Sequence, residues 1–241
     1  MSVDDAAAMR QAVIEGERGR LGAPPNPWVG AVVVSEGEIV GVGHHARPGS
    51  AHGEAAAVSA AGERARGATV YVTLEPCNHH GRTGPCTEAL ISAGVARVVV
   101  GVEDPDALVA GTGIARLREA GIDVAVGVEA ATVERSLRPY LHQRSTGRAF
   151  CVVKTAVSID GRTAAADGTS KWITGEAARD DAHALRAASQ AIVVGSGTAL
   201  ADAPELTVRR VAAPPVPPLR VVLDGRGRVP ARGPLFDTAS A

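Results

Sequence analysis

Residues 68–102 read ATVYVTLEPCNHHGRTGPCTEALISAGVARVVVGV. β-branched runs at both ends flank an apolar segment closed by Gly94, so the stretch predicts a strand over 68–74, a helix over 87–94 and a strand over 96–102. Two strands joined through a helix form the repeating unit of an α/β domain. Active sites in such domains lie beyond the carboxyl ends of strands. At that point Leu74 gives way to EPCNHHGRTGPC, which carries two of the three cysteines with two histidines and an arginine between them.

The same alternation extends outward. Upstream, Ala6 to Gly19 suits a helix, WVGAVVV and EIVGVGHH suit strands joined by the hairpin signal SEGE, and HGEAAAVSAAGERARG suits a helix starting near His52. Downstream come a helix in GIARLREAG, a strand in IDVAVGV and a helix from Ala130 to Leu141. Together they predict a mostly parallel sheet covered on both faces. The polar HQRSTGRA marks a boundary between domains at 1–145 and 148–241. The second pattern predicts a strand in FCVVKTAVS with Cys151 in its core, a helix in TGEAARDDAHALRAAS, and strands in AIVVG and LRVVLDG. The proline-rich VAAPPVPPL reads as a loop between the last two.

Composition bounds the function. Twenty-five basic and 26 acidic side chains in 241 residues give a net charge of −1, which offers no footprint for a polyanion. Two residues each of Trp, Tyr and Phe are too few for a run of base-stacking platforms. A small-molecule substrate is expected, with neither nucleic acid nor membrane as partner. The amino terminus lacks an apolar signal region and no window approaches a membrane span, so a cytoplasmic location is expected. An odd number of cysteines in a reducing compartment makes Cys77 and Cys86 metal ligands or free thiols, not a disulfide.

Three protein ligands and one open position suit catalytic zinc. Cys77, Cys86 and His52 supply three, and Glu54 follows His52 at the spacing of an unligated proton shuttle. The order H-x-E then P-C is that of zinc nucleobase deaminases. The competing view makes the cysteines small core residues and His52 a helix cap; a zinc ribbon would need a second Cys or His pair. The spacing here is Cys-x8-Cys, and the loop between the cysteines offers Arg82 to grip a phosphate and His79 to hydrogen-bond a substrate.

These stretches, with PNPWVGAVVV, AGVARVVVGVEDPD, VAGTG, KTAVSIDGRTA, SKWITG and VGSGTALADAPELTVR, make the chain similar to the bifunctional riboflavin biosynthesis deaminase/reductase family, RibD or RibG. The resemblance implies a cytidine-deaminase-like three-layer αβα domain followed by an incomplete dihydrofolate-reductase-like α/β domain, because the chain ends before the family pattern does. It implies zinc on His52, Cys77 and Cys86, with Glu54 as proton shuttle. Asn26, His45, His79, Arg82, Asp104 and Asp106 would contact the substrate; Asp106 stands where the family often has asparagine, and Gly53 where alanine is common, a change expected to be mild.

The implied reaction removes the 2-amino group of 2,5-diamino-6-ribosylamino-4(3H)-pyrimidinone 5′-phosphate by hydrolysis. The family's second activity reduces the ribosyl group to ribityl with NADPH. The resemblance places Ala156, Trp172, Thr198, Asp202 and Gly225 near NADPH, and Ser170, Arg186, Leu206 and Arg209 near the reductase substrate. On its own, Gly-x-Gly at Gly195 to Gly197 is as well explained by a strand-to-loop turn. Lys154 and Asp160 read alone as salt-bridge partners. With the family pattern unfinished, NADPH binding and reductase activity are expected to be weak or absent. Self-association is implied by the resemblance. The competing functions are a nucleoside or tRNA deaminase and a non-catalytic partner subunit.

Overall fold

A computed structural model describes residues 4–237, which divide into two units, one running through Cys151 and one starting at Val152. Asp4 caps the first helix, α1 (Asp5–Glu17), by accepting from the Ala7 N–H at 2.6 Å. Strands β1 (Gly30–Ser35) and β2 (Glu38–His44) follow as a hairpin. Its turn places Glu36 and Gly37 at φ of 52° and 80°, the left-handed conformation that matches strand twist. After α2 (Gly53–Ala61) come β3 (Thr69–Leu74), α3 (Cys86–Ala93), β4 (Arg97–Val102), α4 (Thr112–Glu119), β5 (Asp123–Val126) and α5 (Ala130–Thr146).

The five strands form one sheet in the order β2-β1-β3-β4-β5. β1 runs antiparallel to both β2 and β3, and only β3, β4 and β5 are parallel. The expected mostly parallel sheet is therefore corrected to a mixed one. A two-residue turn can only reverse the chain, so the hairpin fixes one antiparallel pair.

Side-chain alternation separates the faces. Ala31 pairs with Gly43 and Gly30 with His44, and neighbouring pairs point to opposite sides. A Cβ on Gly43 would meet the Ala57 nitrogen of α2 at 2.4 Å, and one on Gly30 would meet the Ala12 oxygen of α1 at 2.0 Å. The two helices thus lie against opposite faces, each at glycine-only distance. α5 packs with α1, and α3 and α4 continue the layer of α2. Val32, Val33, Val70, Val72, Val98, Val99 and Val100 are fully buried between the layers. Each contributes about 1.5–3 kcal/mol by leaving water.

The second unit contains α6 (Glu176–Ala187), β6 (Ala191–Gly195), α7 (Ser196–Asp202), β7 (Leu219–Leu223) and α8 (Pro234–Asp237). β6 and β7 pair in parallel. Two expectations fail here. Residues 150–158 form no strand, and Cys151 is exposed, not core. β propensity alone cannot hold a strand that gains no cross-strand partner. α7 starts at Ser196, within the Gly-x-Gly that a strand-to-loop turn explained as well as a nucleotide site, and α5 runs through Thr146 where Leu141 was the expected end. Among the described residues no helix is long and apolar enough to cross a membrane.

Candidate metal centre and active site

The chain brings its two cysteines and His52 together at the starts of two helices. His52 is the N-cap of α2 in extended conformation, and its side chain makes no capping hydrogen bond, so the ring is free for another task. Cys86 opens α3, and its backbone N–H donates to the Cys77 sulfur at 3.4 Å. The His52 Nδ1 lies 3.6 Å from Cys77 Sγ and 3.2 Å from Cys86 Sγ, and the three donor atoms fall within 4.8 Å of one another. Donors around a tetrahedral zinc with bonds near 2.0–2.3 Å stand about 3.6 Å apart. The set therefore fits zinc.

Its electrostatics agree. Hydrogen bonding from the Cys86 thiol pulls Cys77 down to about 4, and the same contact together with burial pushes Cys86 up. The Cys77 contact raises His52, against its burial. Metal binding would replace this shared proton, since thiolate and neutral imidazole are the ligating forms.

Glu54 lies one residue inside α2, is buried, and its Oε2 has no hydrogen-bond partner. Burial pushes its carboxyl up to about 7. An isolated buried carboxylate is costly unless a partner arrives. Both His52 and Glu54 line a cavity of about 590 Å³ at the carboxyl ends of β3 and β4.

All six candidate substrate contacts line that cavity: Asn26, His45, His79, Arg82, Asp104 and Asp106. His45 is buried, and its Nδ1 stands 3.1 Å from the Ala51 carbonyl while Nε2 stands 3.1 Å from Asn26 Nδ2. Those partners select the tautomer with the proton on Nδ1 and an accepting Nε2. Burial lowers His45 and so favours this neutral form. His79 and Arg82 sit on the exposed loop between the cysteines. Asp104 is buried and raised by that burial, and it accepts from Tyr140 Oη at 2.9 and 3.1 Å.

Three lining residues escaped the sequence reading. Glu75 accepts from the backbone N–H groups of Gly111, Gly113, Ile114 and Asp104 at 3.0–3.3 Å, tying the start of α4 to the end of β3. An acid directly before Pro76 at a strand end was the available signal. Tyr140 and Arg144 come from α5, and only the fold brings that helix back to the cavity.

The nine candidate residues of the second unit are distributed over several elements. Ser170 and Trp172 share a depression with Asp160 and Arg162, and Trp172 is 73% exposed beneath the Arg179 guanidinium. Thr198 and Asp202 are exposed on α7, Gly225 is exposed after β7, and Ala156 lies in the irregular segment before α6. Arg186 on α6 is half-buried and donates to the Thr207 carbonyl, Leu206 is buried, and Arg209 pairs with Glu205. Lys154 has no ion pair among the described residues, and Asp160 faces Arg162 at 4.0 Å.

Comparison with known proteins assigns both parts. The family described as the cytidine and deoxycytidylate deaminase zinc-binding region matches residues 2–102, and that described as the RibD C-terminal domain matches residues 149–241. The riboflavin biosynthesis protein RibD of Chlamydia pneumoniae is 50% identical over 234 residues, covering 96% of this chain and 62% of the relative. The solved structure of Acinetobacter baumannii RibD superposes with a TM-score of 0.88 at 44% identity, over 97% of this chain and 67% of that one. A deaminase/reductase of Thermotoga maritima gives 0.89 at 36% identity with the same coverage. The chain spans about 62% of the length of the first curated relatives it matches. The expected pairing of a cytidine-deaminase-like domain with a dihydrofolate-reductase-like one is borne out.

Proposed function

Since the chain belongs to the RibD family of riboflavin biosynthesis proteins, we propose that its first unit hydrolytically deaminates 2,5-diamino-6-ribosylamino-4(3H)-pyrimidinone 5′-phosphate. The observation that carries the reading is the convergence of His52, Cys77 and Cys86 on one point beside the partnerless Oε2 of Glu54, inside a cavity large enough for a nucleotide-sized ligand. His52, Cys77 and Cys86 would hold a zinc ion, which would supply Lewis-acid activation of water at neutral pH. Glu54 takes a proton on Oε2 and returns it to the departing nitrogen. One water enters and one ammonia leaves. A carboxyl whose buried value lies near 7 can both accept and release that proton near neutrality.

The remaining groups bind and orient. Asp104 accepts from substrate N–H groups while Tyr140 fixes its plane. Asn26 and His45 hold one another and present the Asn26 carboxamide to the ligand. Arg82 grips the phosphate from the cysteine loop, with His79 beside it. The same proposal takes the protein as a self-associating cytosolic enzyme acting on a small molecule. NADPH is the cofactor that the resemblance attaches to the second unit. The match of that unit to the RibD C-terminal domain supports the assignment, and Ser170 and Trp172 of the candidate set line one depression there.

Ammonia release from the diaminopyrimidine phosphate tests the reading. Glu54→Ala should lower the rate by about 10²–10⁴-fold while leaving bound zinc in place. Turnover of cytidine without turnover of this phosphate would sink it in favour of a nucleoside deaminase.

A further inference from the structure

α5 presents Tyr140 and Arg144, four residues apart and therefore on one face, to the loop after β4 where Asp104 and Asp106 stand. Tyr140 holds Asp104, and Arg144 Nε lies 3.3 Å from Asp106 Oδ2. The Arg144 guanidinium also packs over the Tyr140 ring at 5.5 Å. The two pairs differ electrically. A phenol hydrogen bond leaves the Asp104 charge in place, whereas a guanidinium cancels that of Asp106.

That difference matters because of what lines the cavity. Four carboxyl groups, those of Glu54, Glu75, Asp104 and Asp106, face two guanidinium groups, those of Arg82 and Arg144. Asp106 is the least buried of the four acids and so the one that an entering anion meets. Its Oδ1 accepts from the Leu108 N–H, which leaves Oδ2 to Arg144. Removing that cation would set an unpaired carboxylate in the wall of a site meant for a phosphate.

We propose that Arg144 is a specificity-determining residue: by neutralising Asp106 in the cavity wall, it lets the site accept a substrate bearing a phosphate monoester and not merely its unphosphorylated counterpart. This rests on the deaminase reading for the identity of the substrate, but the ion pair can be tested without turnover. The zinc-loaded full chain, R144A and R144A/D106N are compared for ribose 5-phosphate binding by calorimetry and for KM with the phosphorylated and unphosphorylated pyrimidine ribosides.

R144A should weaken ribose 5-phosphate binding and raise KM for the phosphorylated substrate by about tenfold, with kcat and the unphosphorylated KM little changed. Adding D106N, which removes the exposed charge, should restore most of the loss. A purely structural role for Arg144 would move both substrates together and would not be relieved by D106N; either result overturns the proposal. No binding of ribose 5-phosphate to the unaltered chain would overturn it as well. Intact, Arg144-dependent binding without ammonia release would count against the deamination alone.

Discussion

Glu54 concentrates the cost and the use of this site in a single side chain. Its native carboxyl value is raised from near 4.5 to about 7, so the folded zinc-free protein binds more protons than the unfolded chain across that interval. Stability is therefore fully present below about 4.5, falls as pH rises toward 7, and is lowest above it. Glu54→Gln removes the titration and keeps the shape. In zinc-free protein E54Q should be more stable than the parent by about 1–3 kcal/mol at pH 8, with the gap closing toward pH 4.5 in denaturant melts. Zinc should narrow the gap, because a nearby cation restores the carboxylate; a pH-independent difference would show that burial is not the cause. The residues carrying this chemistry were readable as letters, since His52, Glu54, Cys77 and Cys86 have a spacing that ligand chemistry demands. Tyr140 and Arg144 were not, because a helical tyrosine and arginine well past the second cysteine look like any surface pair until α5 folds back.

The helix and strand scale explains how the site is held, and it corrects one expectation. From sequence, glycine in place of alanine at position 53 looks mild. In the fold, a Cβ at Gly53 would stand 2.6 Å from the Val29 carbonyl oxygen, so α2 in this chain packs on β1 at a distance that excludes a side chain. Gly41 and Gly43 make the same close approach from β2, at 2.4 Å to the Ala57 backbone. G53A should therefore cost about 1–3 kcal/mol and reduce zinc affinity, because a shift of the helix start that relieves the clash carries His52 away from the cysteines. Competition with a chromogenic chelator reads the second effect, and an unchanged zinc affinity would mean that the neighbouring loop absorbs the shift. Periodicity located the elements flanking this contact. It could not show the contact, because a glycine that permits close packing and one that merely ends a helix are the same letter. The mixed sheet was hidden similarly: SEGE announced a hairpin, but nothing local announced that β3 would join β1 on its other side.

Across the whole molecule the two units differ most in how much apolar surface they bury. In the first, the valines of β1, β3 and β4 lie inaccessible between helical layers. In the second, the buried apolar side chains among the described residues are Ala187, Ala199, Leu206 and Leu235, while Val193, Leu219 and Leu223 of the two-stranded sheet are each more than half exposed. The alternating pattern of the second half was legible as α/β, but the amount it would bury was not, because burial depends on partners and pattern does not. Exchange protection follows burial and cooperative packing. Amides of β3 and β4 should exchange only through global opening of the first unit, and those of β6 and β7 should exchange faster by orders of magnitude. Zinc separates the units further, since a ligand that binds only the folded form stabilises by mass action what it touches. Chelation should speed exchange at the starts of α2 and α3, where His52 and Cys86 sit, and lower the melting temperature of the first unit. The amides of β6 and β7 should be unaffected, and protection there that rises and falls with zinc would show that the two units unfold as one.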